Sequence, residues 1–204
     1  MTIAIVDYGL GNIFSVVEAL QTIGLQARLD TDGSQVRGCA VAVIPGVAAF
    51  GAGMGNLVAS GQANAIEDHA RAGGLIVGFC LGAQMLLDSS EETVGVSGLG
   101  LVPGRSIELN RSQCRVPNQG WMATVPADGP GSPWNIESVP HYYYSHSYAM
   151  VVGAGVEQVA FGVTGAARVL AHYRYENIQG FQFHPERSGP LGLALLAKIL
   201  VTRE

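Results

Sequence analysis

Charged residues are scarce in this sequence: they make up 13% of its 204 residues, against a usual share of ~25%. The 11 basic residues form no cluster and the formal net charge is −5, so the sequence does not predict a nucleic-acid groove. No apolar run approaches the roughly 20 residues of a membrane-spanning helix. The N-terminus has no basic start and carries Asp7, unlike a signal peptide. These absences favour a cytoplasmic globular protein with part of its surface resting against a partner.

Cysteine is also scarce, and its three positions follow neither a disulfide nor a metal-ligand pattern. A chain of this length can bury an apolar core without disulfides or metal. Apolar residues, at 48% of the chain, and the 28 glycines are in turn abundant. We therefore expect one domain over residues 1–204, rich in tight turns, with no metal and no cofactor.

Short apolar runs alternate with helical patterns in the first half of the chain. Asn12 is a candidate N-cap for the first predicted helix. Unbroken apolar strands between helices predict a parallel sheet that is covered on both faces. The predicted strands are 3–7, 27–29, 39–44 and 75–79, and the predicted helices are 13–23, 54–72 and 81–87.

The second half of the chain predicts strands that follow one another without helices. Residues 126–140 contain four prolines and are predicted as a loop. The whole sequence therefore predicts an α/β fold with a mostly parallel central sheet flanked by helices and a β-rich second half. The predicted strands are 142–152, 158–163, 168–173 and 178–183, followed by a helix at 191–201.

The segment Gly78-Phe79-Cys80-Leu81-Gly82 lies between a predicted strand and a predicted helix. It has the pattern of a nucleophile elbow with cysteine in place of serine, where the glycines permit a tight strand-to-helix turn. The start of a helix favours the thiolate form of Cys80. Taken alone, the pattern fits a buried small residue beside a glycine-rich turn equally well.

A base for this nucleophile is offered by His184, which follows the predicted strand 178–183 and precedes Pro185 and Glu186. Parallel strands end at the same edge of a sheet, so His184 can lie beside Cys80 although 104 positions separate them. Glu186 would then orient the imidazole.

Other motifs are weaker. The segment 7–14 lacks the third glycine of a dinucleotide fingerprint, and the segment 51–55 lacks the Gly-Lys-Ser/Thr ending of a phosphate loop. The remaining histidines are typical of packing or surface positions, or lack a third ligand for a metal. They are His69, His172, His141 and His146.

Seven segments spread over the whole chain carry a resemblance to one known family. They are 5–12, 45–51, 78–84, 98–104, 116–121, 145–148 and 180–189. With them the chain resembles the class I (triad) glutamine amidotransferases, and more narrowly their branch of glutaminase subunits of imidazole glycerol phosphate synthase, in histidine biosynthesis. The resemblance implies hydrolysis of glutamine to glutamate and ammonia through a cysteine thioester. The ammonia would pass to a (β/α)₈ cyclase that forms a heterodimer with the glutaminase.

The resemblance also implies roles for individual residues. Cys80 would be the nucleophile, His184 the acid and base, and Glu186 the orienting group. The oxyanion hole would use the backbone N–H of Leu81 and one from a Gly46-Val47 strand. The residues implied to contact glutamine are Gln84, His146, Ser147 and Tyr148. Those implied to face the partner are Asn12, Asn118, Gln119, Trp121 and Arg187.

Two departures from the family pattern bear on these roles. Ala48 stands where the family usually has glycine, next to the implied oxyanion strand. Residues 117–122 read Pro-Asn-Gln-Gly-Trp-Met instead of Pro-His-Met-Gly-Trp-Asn. Because that segment faces the synthase in the family, a paralogous glutaminase with another acceptor, such as surface-sugar amidation, is an alternative. A catalytically silent subunit and a stand-alone cysteine hydrolase are two further alternatives.

Overall fold

The computed structural model describes residues 2–127 and 139–201. Its strands are β1 (Ile3–Val6), β2 (Ala27–Asp30), β3 (Val41–Ile44), β4 (Leu75–Phe79), β5 (Leu87–Ser90), β6 (Val102–Glu108), β7 (Asn118–Pro126), β8 (His141–His146), β9 (Tyr148–Val152), β10 (Glu157–Thr164), β11 (Ala167–Tyr175) and β12 (Ile178–Phe181). Its helices are α1 (Ile13–Thr22), α2 (Ser34–Arg37), α3 (Phe50–Ala59), α4 (Gln62–Arg71), α5 (Leu81–Met85) and α6 (Gly189–Val201).

Among the described residues, nine strands form one large sheet in the order β2-β1-β3-β4-β12-β11-β10-β7-β8, and three form a smaller sheet, β5-β6-β9. The strands β2, β1, β3, β4 and β12 run parallel, and we call them the parallel half. The strands β11, β10, β7 and β8 pair antiparallel, and we call them the antiparallel half. The predicted α/β fold with flanking helices is confirmed, and its large sheet is mixed.

The parallel half lies between two apolar cores, one on each face of the sheet. Successive side chains of a strand point to opposite faces, and β1 shows this directly. Ala4 and Val6 belong to one buried cluster, whereas Ile3 and Ile5 belong to the other. Every residue of β1 and β3 is buried, which explains why these strands are unbroken apolar runs in the sequence.

Several predicted elements are divided differently in the structure. The helix predicted over 54–72 is two helices, α3 and α4, because Gly61 adopts φ +75° between them. The helix predicted over 81–87 ends at Met85, and the chain enters β5. Asn12 does precede α1, but its side chain makes no capping hydrogen bond among the described residues.

The strand predicted over 142–152 is also two strands. β8 pairs with β7 in the large sheet, whereas β9 pairs with β6 in the small one. Ser147 lies between β8 and β9, where the chain passes from one sheet to the other. The strands β5, β6 and β7 were not predicted. Residues 128–138 of the predicted loop lie outside the described residues. None of the described helices has the length and apolarity to span a membrane.

Candidate active site

Cys80 lies at a sharp turn between β4 and α5, with the unusual backbone angles φ 49° and ψ −109°. Its two flanking glycines fit only because they lack a side chain. A Cβ on Gly78 would come 2.7 Å from the backbone nitrogen of Ala83, and one on Gly82 would overlap the carbonyl oxygen of Ile44. The sequence therefore folds locally as a nucleophile elbow, which presents the sulfur at the carboxyl edge of the parallel half.

His184 reaches the same edge because β12 is the neighbour of β4, with Phe181 opposite Phe79. Its backbone N–H donates to the Tyr143 carbonyl at 2.8 Å, and the Ser188 hydroxyl donates to the His184 carbonyl at 2.6 Å. A short 3₁₀ turn at Pro185–Arg187 then brings Glu186 back toward the imidazole. Glu186 Oε1 accepts a hydrogen bond from His184 Nδ1 at 2.8 Å, and both side chains are 2% exposed.

The electrostatics of this group favour a protonated imidazole. Burial alone lowers the pKa of His184. The negative charge and hydrogen bonding of Cys80, together with the hydrogen bond and charge of Glu186, outweigh burial and raise the pKa of His184 to about 10. An imidazolium beside a thiolate is the state in which a cysteine attacks a carbonyl carbon and a proton is ready for the leaving group.

A cleft of about 340 Å³ opens beside Cys80, and the residues predicted to bind glutamine line it. Val47 and Leu81, the predicted oxyanion donors, line the cleft as well. Gly46 packs against the elbow, where a Cβ would come 2.7 Å from the Cβ of Leu81. The Gly46-Val47 segment is a loop after β3 rather than the strand that the resemblance implied. The cleft-lining residues among those predicted to bind glutamine are Gln84, His146, Ser147 and Tyr148.

Two polar residues of this site were missed from the sequence. Gln182 is fully buried, and its Nε2 lies 3.9 Å from the sulfur of Cys80. Its signal was a polar residue between two phenylalanines, Phe181 and Phe183, both of which are buried. Glu92 lines the cleft, and its Oε2 accepts the Phe50 N–H at 2.8 Å at the start of α3. Glu92 lies in an acidic turn that carries no motif, so nothing in the sequence distinguished it.

Four of the five residues predicted to face a partner are exposed or half-buried. Trp121 is 56% exposed and meets the Tyr143 ring edge-on at 6.2 Å, while the Arg187 guanidinium lies 4.3 Å above the same ring. Gln119 is exposed on the same strand as Trp121, and Asn12 is half-buried before α1.

Asn118 corrects the prediction. It is only 4% exposed, and its amide hydrogen-bonds to His146 and Thr164 inside the protein. The reason is the two-residue alternation of β7, which turns Asn118 and Met122 inward and Gln119 and Trp121 outward.

Comparison with known protein families matches residues 4–202 to the family described as Glutamine amidotransferase class-I. The chain is similar to the imidazole glycerol phosphate synthase subunit HisH of Symbiobacterium thermophilum, with 38% identity over 96% of this chain and 91% of that one. It is also similar to HisH of Chlorobium chlorochromatii, with 36% identity over 95% of this chain and 96% of that one. A longer relative, imidazole glycerol phosphate synthase hisHF of Emericella nidulans, is 30% identical over 98% of this chain and 38% of its own length.

Solved structures share the fold. A crystal structure of a glutamine amidotransferase superposes with a TM-score of 0.77 at 16% identity, covering 98% of this chain and 99% of the other. The PurLQS structure from Thermotoga maritima superposes with a TM-score of 0.71 at 21% identity, covering 98% and 97%.

Proposed function

The chain belongs to the class I glutamine amidotransferase family, and we propose that it is the glutaminase subunit of an imidazole glycerol phosphate synthase. It hydrolyses glutamine to glutamate and ammonia and supplies the ammonia to a cyclase subunit. The observation that carries this proposal is the meeting of Cys80, His184 and Glu186 where β4 and β12 end. The similarity to HisH subunits along nearly the whole chain supports the choice of synthase.

The reaction begins with attack of the Cys80 thiolate on the side-chain amide carbon of glutamine. The C=O electrons move onto oxygen, and we assign the stabilisation of that oxyanion to the backbone N–H groups of Leu81 and Val47, two residues that line the cleft, an effect worth roughly 10²–10³ in rate per donor. The protonated His184 gives its proton to the departing ammonia, leaving a glutamyl thioester. His184 then takes a proton from water, whose oxygen attacks the thioester and releases glutamate and the Cys80 thiolate.

We assign glutamine recognition to the polar residues that line the cleft. Glu92 places a carboxylate there, a suitable partner for the α-ammonium group of the substrate. Gln84 donates from Nε2 to the Tyr148 carbonyl at 2.9 Å and to Gln182 Oε1 at 3.2 Å. These bonds hold the wall in one arrangement before substrate enters.

The proposed partner surface is the exposed group formed by Gln119, Trp121 and Arg187 beside the cleft. An exposed aromatic ring with an arginine nearby is the composition of an interface centre. The longer fungal relative supports such a partner, because this chain matches only 38% of its length. The rest of that relative has room for a second functional part, which we propose to be a separate chain here.

The alternative of a different acceptor enzyme rested on three sequence departures, Asn118, Gln119 and Met122. Asn118 is 4% exposed and Met122 is 9% exposed, so these two changes do not alter the outer surface. Only Gln119 offers a changed side chain to a partner. The structure therefore gives this alternative little support.

A reducing compartment suits the thiol chemistry of the site. In the described part of the chain Cys39, Cys80 and Cys114 are all unpaired, as is usual for proteins of the cytoplasm. We propose that the protein acts there.

The proposal is tested by complementation of a bacterial histidine auxotroph that lacks its own glutaminase subunit. The cyclase subunit from the source organism is co-expressed with the wild-type chain or with Cys80→Ala. We expect growth without histidine only with the wild-type chain. Absence of growth with folded protein that still releases glutamate from glutamine would move the assignment to another acceptor enzyme.

A further inference from the structure

Asn118 begins β7 as a buried polar side chain for which the proposed chemistry has no use. Its Oδ1 accepts a hydrogen bond from the Thr164 hydroxyl at 2.9 Å. Its Nδ2 lies 2.9 Å from His146 Nε2. An amide nitrogen donates and an amide oxygen accepts, and in this structure the amide turns its oxygen to the Thr164 hydroxyl and its NH₂ group to His146.

Each ring nitrogen of His146 faces a group that can act only as a hydrogen-bond acceptor or only as a donor. Its Nδ1 lies 2.9 Å from the carbonyl oxygen of Tyr148, which can only accept, so Nδ1 carries the hydrogen. Its Nε2 faces the Asn118 NH₂ group, which can only donate, so Nε2 presents a lone pair. Together the two bonds select the neutral Nδ1–H tautomer. Burial acts in the same direction and lowers the pKa of His146 to about 4.

The Tyr148 carbonyl connects this histidine to the nucleophile. It also accepts from Gln84 Nε2 at 2.9 Å, and the same Gln84 nitrogen lies 3.2 Å from Gln182 Oε1. Gln182 Nε2 then lies 3.9 Å from the sulfur of Cys80. A continuous set of buried polar contacts therefore leads from Asn118 to the reacting atom.

We infer that Asn118 is a positioning residue for the glutaminase reaction: by donating to His146 it fixes one neutral tautomer, and through that ring it fixes the Tyr148 carbonyl and Gln84 at the cleft wall. The effect on catalysis rests on the proposed function, whereas the tautomer is a property of the protein alone. Asn118 also lies on the strand that presents Gln119 and Trp121 outward, so it joins the proposed partner surface to the cleft.

The test replaces Asn118 with aspartate, which keeps the size and the Thr164 bond but places an acceptor opposite His146 Nε2. That nitrogen then needs a hydrogen, while Nδ1 still needs one for the Tyr148 carbonyl, so the imidazolium form is favoured. The titratable groups around His146 are Tyr144 on its own strand, His184, and the cleft-lining residues Cys80, Glu92 and Tyr148. The substitution changes none of them.

The first readout is the ¹⁵N spectrum of the histidine side chains, with the His146 signals assigned by their loss in His146→Gln. In the wild type we expect the neutral Nδ1–H pattern at pH 7. In Asn118→Asp we expect the imidazolium pattern or a titration moved to higher pH. Asn110→Asp is the matched control: Asn110 is an exposed residue whose Oδ1 accepts from Ser112, and aspartate preserves that bond.

The second readout is steady-state glutamate release by the chain in complex with the cyclase subunit and that subunit's ligand. Gln84, His146 and Tyr148 line the cleft proposed to bind glutamine, so in Asn118→Asp we expect the KM for glutamine to rise about tenfold, with a smaller change in kcat. The KM should also become pH-dependent where His146 now titrates, and Asn110→Asp should retain the wild-type KM.

A wild-type spectrum with the hydrogen on Nε2, or an imidazolium at pH 7, would overturn the inference even if Asn118→Asp failed to fold. So would an unchanged His146 signal or an unchanged KM in the folded variant. Absence of glutamate release by the wild type would instead count against the proposed function, and the spectrum would still decide the tautomer.

Discussion

The two halves of the large sheet bury their residues in different ways. In the parallel half, β1 and β3 are buried at every position because helices cover both faces. In the antiparallel half, β7 alternates between buried and outward-facing side chains over its first five residues. The first arrangement leaves no side chain of β1 or β3 at the surface, whereas the second turns one set of β7 side chains into the core and the other outward.

This difference matches a division of labour at the active site. The parallel half places the proposed nucleophile and its base just after the ends of two neighbouring strands, β4 and β12. The antiparallel half, through β7 and β8, supplies Asn118, His146 and the exposed Trp121. The proposed catalytic residues therefore belong to the parallel half, whereas part of the proposed recognition surface belongs to the antiparallel half.

The largest expected effect tests whether Cys80, at the end of a strand of the parallel half, is the nucleophile. Cys80→Ala should lower glutamate release by roughly 10⁴-fold or more, since loss of a nucleophile removes the covalent route. Cys39→Ala, the same change at a half-buried cysteine elsewhere in the chain, should retain activity. Substantial glutamate release by folded Cys80→Ala would place the nucleophile elsewhere.

The next effect tests whether the charge of Glu186 keeps His184 protonated. Glu186→Gln keeps a hydrogen-bonding group beside His184 but removes the negative charge, and should lower kcat about 10²- to 10⁴-fold. Glu186 is one of the groups that raise the pKa of His184 to about 10. Without its charge that pKa falls, so His184 loses its proton at lower pH and the alkaline decline in kcat moves to lower pH.

Glu157→Gln is the matched control, because Glu157 forms an exposed ion pair with Arg174 in the antiparallel half. A pH–rate profile from pH 6 to 10 compares the three proteins. If Glu186→Gln kept the wild-type profile, Glu186 would have no part in setting the charge of His184.

The third prediction compares the packing around the elbow with the packing around α3 through the free energy of unfolding. Gly82→Ala should destabilise the fold by about 3–5 kcal/mol, because its methyl group would overlap the Ile44 carbonyl, which is fixed in β3. Gly55→Ala is the contrasting substitution, since no described atom lies within 4 Å of the added methyl in α3. It should stabilise the protein by about 0.5–1 kcal/mol through helix propensity. Denaturant unfolding measures both, and equal effects would show that the elbow is not tightly packed.

The smallest expected effect concerns how a residue of the antiparallel half, His172, changes the stability of the protein at low pH. His172 stacks on Phe181 at 4.1 Å, and burial lowers its pKa to about 4. Because its folded-state pKa lies below the unfolded value of about 6.5, its contribution to stability is present above pH 6.5 and is lost as the pH falls toward 4.

His172→Phe keeps the stacking but cannot take up a proton. Gln179, which loses a partner, lines an open cleft where water can reach it. Between pH 6.5 and 4.5 the variant should lose about 1–2 kcal/mol less unfolding free energy than the wild type. Parallel curves for the two proteins would show that His172 does not titrate in this window.

The same comparison explains what could be predicted from the sequence. The strands of the parallel half are unbroken apolar runs, and the glycine spacing around Cys80 with His184 after another strand predicted their common edge. β7 was not predicted as a strand, so no register was available to show that Asn118 points inward. The break at Ser147 depends on two different sheets, which local patterning does not reveal.

The central claim is that the parallel half carries the catalytic residues of a glutaminase, and that Gln119, Trp121 and Arg187 contact the cyclase subunit that receives its ammonia. The most direct test measures glutamate release from glutamine by the chain alone and with the cyclase subunit of its synthase and that subunit's ligand. We predict slow release by the isolated chain and strong stimulation in the complex. Fast release by the isolated chain, or a rate that the cyclase leaves unchanged, would contradict the account.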